Sequence, residues 1–134
     1  MSLTIRDREK EGVLVLDLKG RLTVGEEVAQ LRERLRAESD AGRQRIILNL
    51  DDVDYIDSTG LGTLVICFTT MQKAGGGLKL LNLSRRNIEL LILTKLTTVF
   101  ELFNDEQDAV NSFFPDREIK KFDILDFVRR RDEA

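Results

Sequence analysis

Histidine is missing from this chain of 134 residues, and cysteine occurs once, at Cys67. Without an imidazole, the Ser-His-Asp and Cys-His arrangements for nucleophilic catalysis are excluded. One cysteine cannot supply the ligands of the usual zinc sites or form a disulfide within the chain. We therefore expect a protein of a reducing compartment that is not an enzyme and uses no metal or other cofactor.

Long apolar runs are missing as well. No stretch approaches the roughly 18 apolar residues of a membrane-spanning helix, and residues 1–10 lack the apolar core of a signal peptide. These absences predict a soluble, cytoplasmic protein with no direct membrane insertion.

Neither sign of charge dominates the chain. The net charge is -3 and the isoelectric point is near 5.1, whereas a nucleic-acid binder usually carries a basic patch or stripe. Hydrophobic residues make up 42% of the sequence, which is enough for the packed core of one domain. We expect no nucleic-acid partner.

The apolar periodicity predicts an α/β domain with a mixed β-sheet of four to five strands, packed with amphipathic helices. The first two strands form a hairpin around Glu11-Gly12, and helices and strands then alternate. Strands are expected near 3–9, 13–20, 45–50, 78–83 and 99–103, and helices near 24–41, 58–74 and 105–113. A further helix, capped by Ser84, is expected to carry Ile88, Leu91 and Ile92.

Pro115, the only proline, marks the predicted end of this domain at residue 114. Residues 115–134 are expected to form a C-terminal extension with a short helix that Asp123 caps. Ile124, Phe127 and Val128 give this helix an apolar face, which must be buried. Packing on its own domain is favoured, and packing against a second copy in a homodimer is the alternative.

Residues 53–62 carry the most distinctive pattern, a strand that runs through a tight turn into a helix. Ser58 is predicted at or beside the N-cap of that helix, where its hydroxyl accepts a backbone hydrogen bond. The plain interpretation is that Ser58 is only a cap. A phosphate on Ser58 would also be stabilised there by free N–H groups, and Gly60 and Gly62 would let a partner approach closely.

Known catalytic motifs do not fit this segment. D-S-T-G is not the D-T-G or D-S-G motif of an aspartic protease, because Thr59 lies between Ser58 and Gly60. The nucleophile elbow G-x-S-x-G needs glycine at the position of Ile56. Val65 replaces the third glycine of a dinucleotide fingerprint. Three nearby aspartates can in principle hold magnesium, but a solvated acidic loop is favoured. They are Asp51, Asp52 and Asp54.

The sequence resembles the STAS-domain family, and within it the bacterial anti-sigma factor antagonists. The resemblance covers about residues 3–114 and is most specific in I-D-S-T-G-L-G at 56–62. Further matching segments are L-K-G-R-L at 18–22, I-I-L-N-L at 46–50, L-K-L-L at 78–81, V-F-E-L-F at 99–103 and D-E-Q-D-A-V at 105–110. It implies a single STAS-like domain.

The resemblance also implies partner switching. An unphosphorylated antagonist binds an anti-sigma factor, which is a GHKL-type serine kinase, and so frees a sigma factor. Phosphorylation of the serine after the aspartate, here Ser58, releases the antagonist, and a PP2C-type phosphatase restores it. Other STAS domains are scaffolds of sensor complexes or accessory subunits of lipid and anion transporters, so these functions remain alternatives.

The site residues implied by the resemblance lie on two neighbouring loops. Ser58 is the phosphate acceptor and Asp57 orients its loop. Thr23 replaces an aspartate that antagonists often carry, so efficient phosphorylation depends on whether threonine substitutes for it. The expected partner-binding residues are Thr23, Val24, Asp57, Thr59, Gly60, Leu61 and Gly62.

Overall fold

Five strands of the described residues form one sheet in chain order, β1-β2-β3-β4-β5. The computed structural model describes residues 3–120 and 122–133, and the side chains up to residue 129. The first strand is antiparallel to the second, and all later neighbours are parallel. The strands are β1 (Thr4–Lys10), β2 (Val13–Leu22), β3 (Arg45–Ile56), β4 (Gly77–Leu81) and β5 (Leu102–Phe103). The predicted mixed sheet is confirmed.

Helices cover both faces of the sheet, and side-chain alternation along the strands divides the core accordingly. Leu14, Leu16 and Leu18 of β2 belong to the larger cluster under the first three helices. Val13 and Val15 point the other way, into a smaller cluster under the fourth helix. The helices are α1 (Glu26–Asp40), α2 (Ser58–Lys73), α3 (Arg85–Leu93), α4 (Glu106–Asn111) and α5 (Ile124–Glu133).

The third strand is longer than its apolar run predicts. It continues from Leu50 to Ile56, so the predicted acidic loop is part of the strand. At two places in the pairing with β2, β3 has one extra residue. As a result Leu50, Val53 and Ile56 are buried, while the aspartates between them are exposed. This extension carries the chain to the start of α2.

The C-terminal segment packs on the rest of the chain. The backbone N–H of Phe122 donates to the Leu102 carbonyl of the edge strand over 3.3 Å. Phe122 and Ile124 pack against the larger core cluster, and the Arg85 guanidinium lies 5.6 Å from the centre of the Phe127 ring. Part of the apolar face of α5 is therefore covered by its own chain.

No helix in the described part of the chain combines the length and apolar character that crossing a membrane requires.

Candidate functional site

Two loops meet where the parallel strands β2 and β3 end. Leu22 and Ile56 are paired at these ends, and the loop from β2 to α1 follows the first while α2 follows the second. The N–H of Asp57 donates to the Leu22 carbonyl over 3.1 Å, which extends the contact past the strands. Residues far apart in sequence are thus brought side by side, as is typical of the carboxyl ends of parallel strands.

Asp57, and not Ser58, is the N-cap of α2. Its Oδ1 accepts a hydrogen bond from the Gly60 N–H over 2.7 Å, and its Oδ2 accepts one from the Val24 N–H over 2.9 Å. One carboxylate therefore joins the start of α2 to the neighbouring loop. Ser58 is the first helical residue, so the interpretation of Ser58 as a cap is wrong.

The charge of Asp57 is held by backbone groups. Partial desolvation raises the pKa of this carboxyl, but hydrogen bonds from the N–H groups of Gly60, Val24 and Thr59 outweigh it and leave the pKa below its ordinary value. Asp57 is accordingly ionised at neutral pH. Because it already occupies the Gly60 N–H, a phosphate on Ser58 would lie beside a filled cap instead of the free N–H groups that the sequence suggested.

Gly60 is required for packing, contrary to the expectation that it leaves room for a partner. A Cβ at this position would lie 2.1 Å from the Leu22 carbonyl oxygen, so only glycine allows α2 to start so close to the end of β2. Leu61 is also buried and belongs to the larger core cluster. Both residues position the loop and present almost no surface of their own.

Four residues form the exposed part of the site, which we call the switch surface: Val24, Ser58, Thr59 and Gly62. Val24 is 68% exposed, which is unusual for valine, and the Asp57 carboxylate fixes its backbone. A Cβ at Gly62 would meet no atom within 4 Å, so this glycine does leave open space above the helix. Thr23 is half-buried beside the surface.

Ile66 continues the switch surface along α2 and was not among the site residues predicted from the sequence. Its side chain is 54% exposed. Residues at i, i+4 and i+8 lie on one side of a helix, so Ser58, Gly62 and Ile66 form one line. This spacing was visible in the sequence, but Ile66 also fitted a buried position.

Chemically, the site offers an exposed hydroxyl, a capped carboxylate and a small apolar surface. Among the described residues, no group of three or more metal-ligating side chains is close enough to hold an ion, and this includes the aspartates of β3. The arrangement suits recognition by another protein and modification of the Ser58 hydroxyl.

Comparisons with a family model and with curated proteins agree on one family. Residues 4–109 match the model of the STAS domain. The anti-sigma-B factor antagonist of Bacillus subtilis is 35% identical to the chain over 110 residues, which are 82% of this chain and 99% of that protein.

Solved structures share the fold. An anti-sigma factor antagonist from Mycobacterium paratuberculosis superposes with a TM-score of 0.72 at 19% identity, over 83% of this chain and 93% of that one. The Bacillus cell fate determinant SpoIIAA in its phosphorylated form gives a TM-score of 0.63 at 21% identity, over 81% of this chain and 98% of that one.

Proposed function

The chain belongs to the STAS domain family, and on this basis we propose that it is an anti-sigma factor antagonist switched off by phosphorylation of Ser58. One observation carries the proposal. The Ser58 hydroxyl is exposed on the switch surface, directly after the capping carboxylate of Asp57, in a chain similar over most of its length to an anti-sigma-B factor antagonist.

In this proposal the unphosphorylated chain binds an anti-sigma factor through the switch surface. Val24 supplies an exposed aliphatic side chain, and the open space at Gly62 lets the partner approach the α2 backbone. Thr59 adds an exposed hydroxyl beside them. Such a surface combines a small apolar centre with polar groups at its edge, as protein interfaces commonly do.

Phosphorylation would act through charge. A phosphate adds about -1.5 to -2 charges at neutral pH, next to the ionised Asp57. Burying these charges in an interface without paired cations costs several kcal/mol, and about 4 kcal/mol corresponds to roughly a thousandfold in affinity. Because Ser58 is not the helix cap, its modification leaves the hydrogen bonds of Asp57 in place, and the domain stays folded.

The other partners in this proposal are those that the resemblance to anti-sigma factor antagonists implies. The anti-sigma factor is a GHKL-type serine kinase that phosphorylates Ser58, and a PP2C-type phosphatase removes the phosphate.

Thr23 is half-buried and precedes Val24, whose backbone N–H donates to the Asp57 carboxylate. We propose that threonine at this position substitutes for the aspartate of other antagonists and permits phosphorylation of Ser58. A Thr23→Asp variant phosphorylated at the same rate would support this assignment.

The test uses the Ser58→Ala chain to isolate the anti-sigma factor from the source organism. The purified partner is then titrated calorimetrically with wild type, Ser58→Ala and Ser58→Asp. We expect equal binding by the first two and weaker binding by Ser58→Asp. Thr98→Asp is the matched control, because it adds the same charge at an exposed threonine outside the switch surface.

Two results would contradict the proposal. One is equal affinity for Ser58→Asp and Thr98→Asp, which would remove Ser58 from the interface. The other is recovery of transporter subunits or large STAS assemblies in place of an anti-sigma factor, which would favour the alternative functions.

A further inference from the structure

A small apolar groove lies between α1 and α2, beyond the end of the switch surface. Leu35, Cys67 and Met71 form its floor, Ile66 one wall, and Arg32 and Arg36 the rim on α1. Its volume is about 110 Å³. Pockets for drug-sized ligands measure about 300–1,000 Å³, so this groove suits a single side chain of a protein partner.

The rim of the groove is positive although the whole chain is negative. Arg32 and Arg36 are one turn apart on α1, and both are exposed. Neither forms an ion pair with any other described residue, whereas Arg34 of the same helix pairs with Asp7 and Glu38. These two guanidinium groups are therefore available to carboxylates of a partner.

The groove is continuous with the switch surface. Ile66 lies two turns after Ser58 on the same side of α2, a distance of about 12 Å along the helix. Its side chain is 54% exposed and forms both the end of one surface and the wall of the other. A protein seated on Ser58 and Gly62 reaches the groove by extending one further segment along α2.

We propose that the α1–α2 groove is a second docking site for the anti-sigma factor and receives an acidic segment of it. One aliphatic side chain of that segment packs on Ile66 and over Cys67, while its carboxylates pair with Arg32 and Arg36. The proposal rests on the proposed function and adds the chemistry of the partner segment. Asp40 at the far end of the groove repels carboxylates and sets the limit of the contact.

The two sites differ in their response to phosphorylation. The charge on Ser58 acts at the switch surface, whereas the arginines at the groove attract the partner in both states. Complementary charges at the edge of an interface mainly increase the association rate and make it sensitive to salt. The groove is thus expected to hasten partner encounter without deciding which state of Ser58 binds.

The experiment compares two double variants with equal changes of charge. Arg32→Glu/Arg36→Glu reverses the rim of the groove, and Arg6→Glu/Lys19→Glu reverses two exposed cations on the opposite face of the sheet. With the purified anti-sigma factor, we expect the first variant to bind about ten-fold or more weakly and with a smaller salt dependence of the association rate, and the control to bind almost as wild type does.

Equal losses in the two variants would overturn the groove proposal while leaving the proposed function intact. Wild-type protein that binds no anti-sigma factor would instead overturn the proposed function, and the groove proposal with it. Circular dichroism of both variants shows whether they are folded.

Cys67 provides an independent readout in the wild-type chain. Its thiol lies at the floor of the groove, and burial raises its pKa to about 11, so alkylation by iodoacetamide is slow. Bound partner should slow it further by several-fold, as followed on the peptide that contains Cys67. An unchanged alkylation rate in the complex would show that the partner leaves the groove open.

Discussion

Asp57 connects two loops through one carboxylate, so its removal tests the geometry of the site. Asp57→Ala leaves the N–H groups of Gly60 and Val24 without their acceptor. We expect the free energy of unfolding to fall by about 1–2 kcal/mol, the usual cost of losing an N-cap. Urea denaturation measures it, and Asp54→Ala at an exposed strand position is the control. Equal stability of the two variants would contradict the bridging role.

Gly60 and Gly62 form a matched pair two positions apart in α2. In Gly60→Ala the new methyl group meets the Leu22 carbonyl, so we expect a loss of about 2 kcal/mol or more in the free energy of unfolding. Gly62→Ala meets no atom and should gain about 0.5–1 kcal/mol, because alanine favours the helix. Thermal unfolding of both variants measures these changes. Similar changes in stability at the two positions would contradict the close packing of Gly60 on Leu22.

These residues also show what the sequence could not predict. Aspartate and serine are equally good N-caps, so D-S-T-G does not tell which of them caps α2. The difference between the two glycines depends on the end of β2, which lies far away in the sequence. The motif predicts where the candidate site lies, but the geometry of that site depends on contacts between strands that the motif does not contain.

At the scale of elements, the order of strands and helices was predictable because apolar periodicity changes clearly along the chain. The length of β3 was not, because its two irregularities break the alternation after Asn49. The burial of Val53 and Ile56 follows a spacing of three that no regular strand shows. This extension nevertheless positions Asp57 beside the loop after β2.

Arg8 joins β1, β2 and α4 and gives stability a pH dependence. Its hydrogen bonds are the main cause that lowers the pKa of Asp17 and of Glu106 below their ordinary values. With depressed pKa values, the stabilisation is complete above the ordinary carboxyl pKa of about 4 and is lost as the pH falls through the folded values.

Arg8→Gln should therefore reduce the free energy of unfolding near neutral pH by up to about 1 kcal/mol, because these partly exposed groups are screened by solvent. The difference from wild type should shrink as the pH falls below about 4. Arg6→Gln serves as the control at a neighbouring exposed position. Urea titrations at several pH values test this, and a difference independent of pH would contradict the assignment.

For the whole molecule, we propose that residues 1–114 form the folded unit and that residues 115–134 add stability. A chain ending at Phe114 should fold, since the family match ends at residue 109. It should lose about 1–3 kcal/mol, because Phe122 and Ile124 no longer pack on the core.

Phe122→Ala in the full chain should reproduce much of this loss in urea denaturation. An unfolded 1–114 chain would contradict the proposed boundary. The sequence favoured packing of the extension on its own domain, but the residues that it contacts were not predictable, because an amphipathic helix indicates only that one face is covered and not by what.

We propose that phosphate on Ser58 decides whether the anti-sigma factor is bound. The most direct measurement incubates the purified chain with its anti-sigma factor and Mg-ATP, follows the intact mass and the peptide of residues 46–73, and titrates the product against fresh partner. We expect one phosphate, on Ser58, and an affinity lowered about a thousandfold. A phosphorylated chain that binds as tightly as the unmodified one, or phosphate confined to another residue, would contradict it.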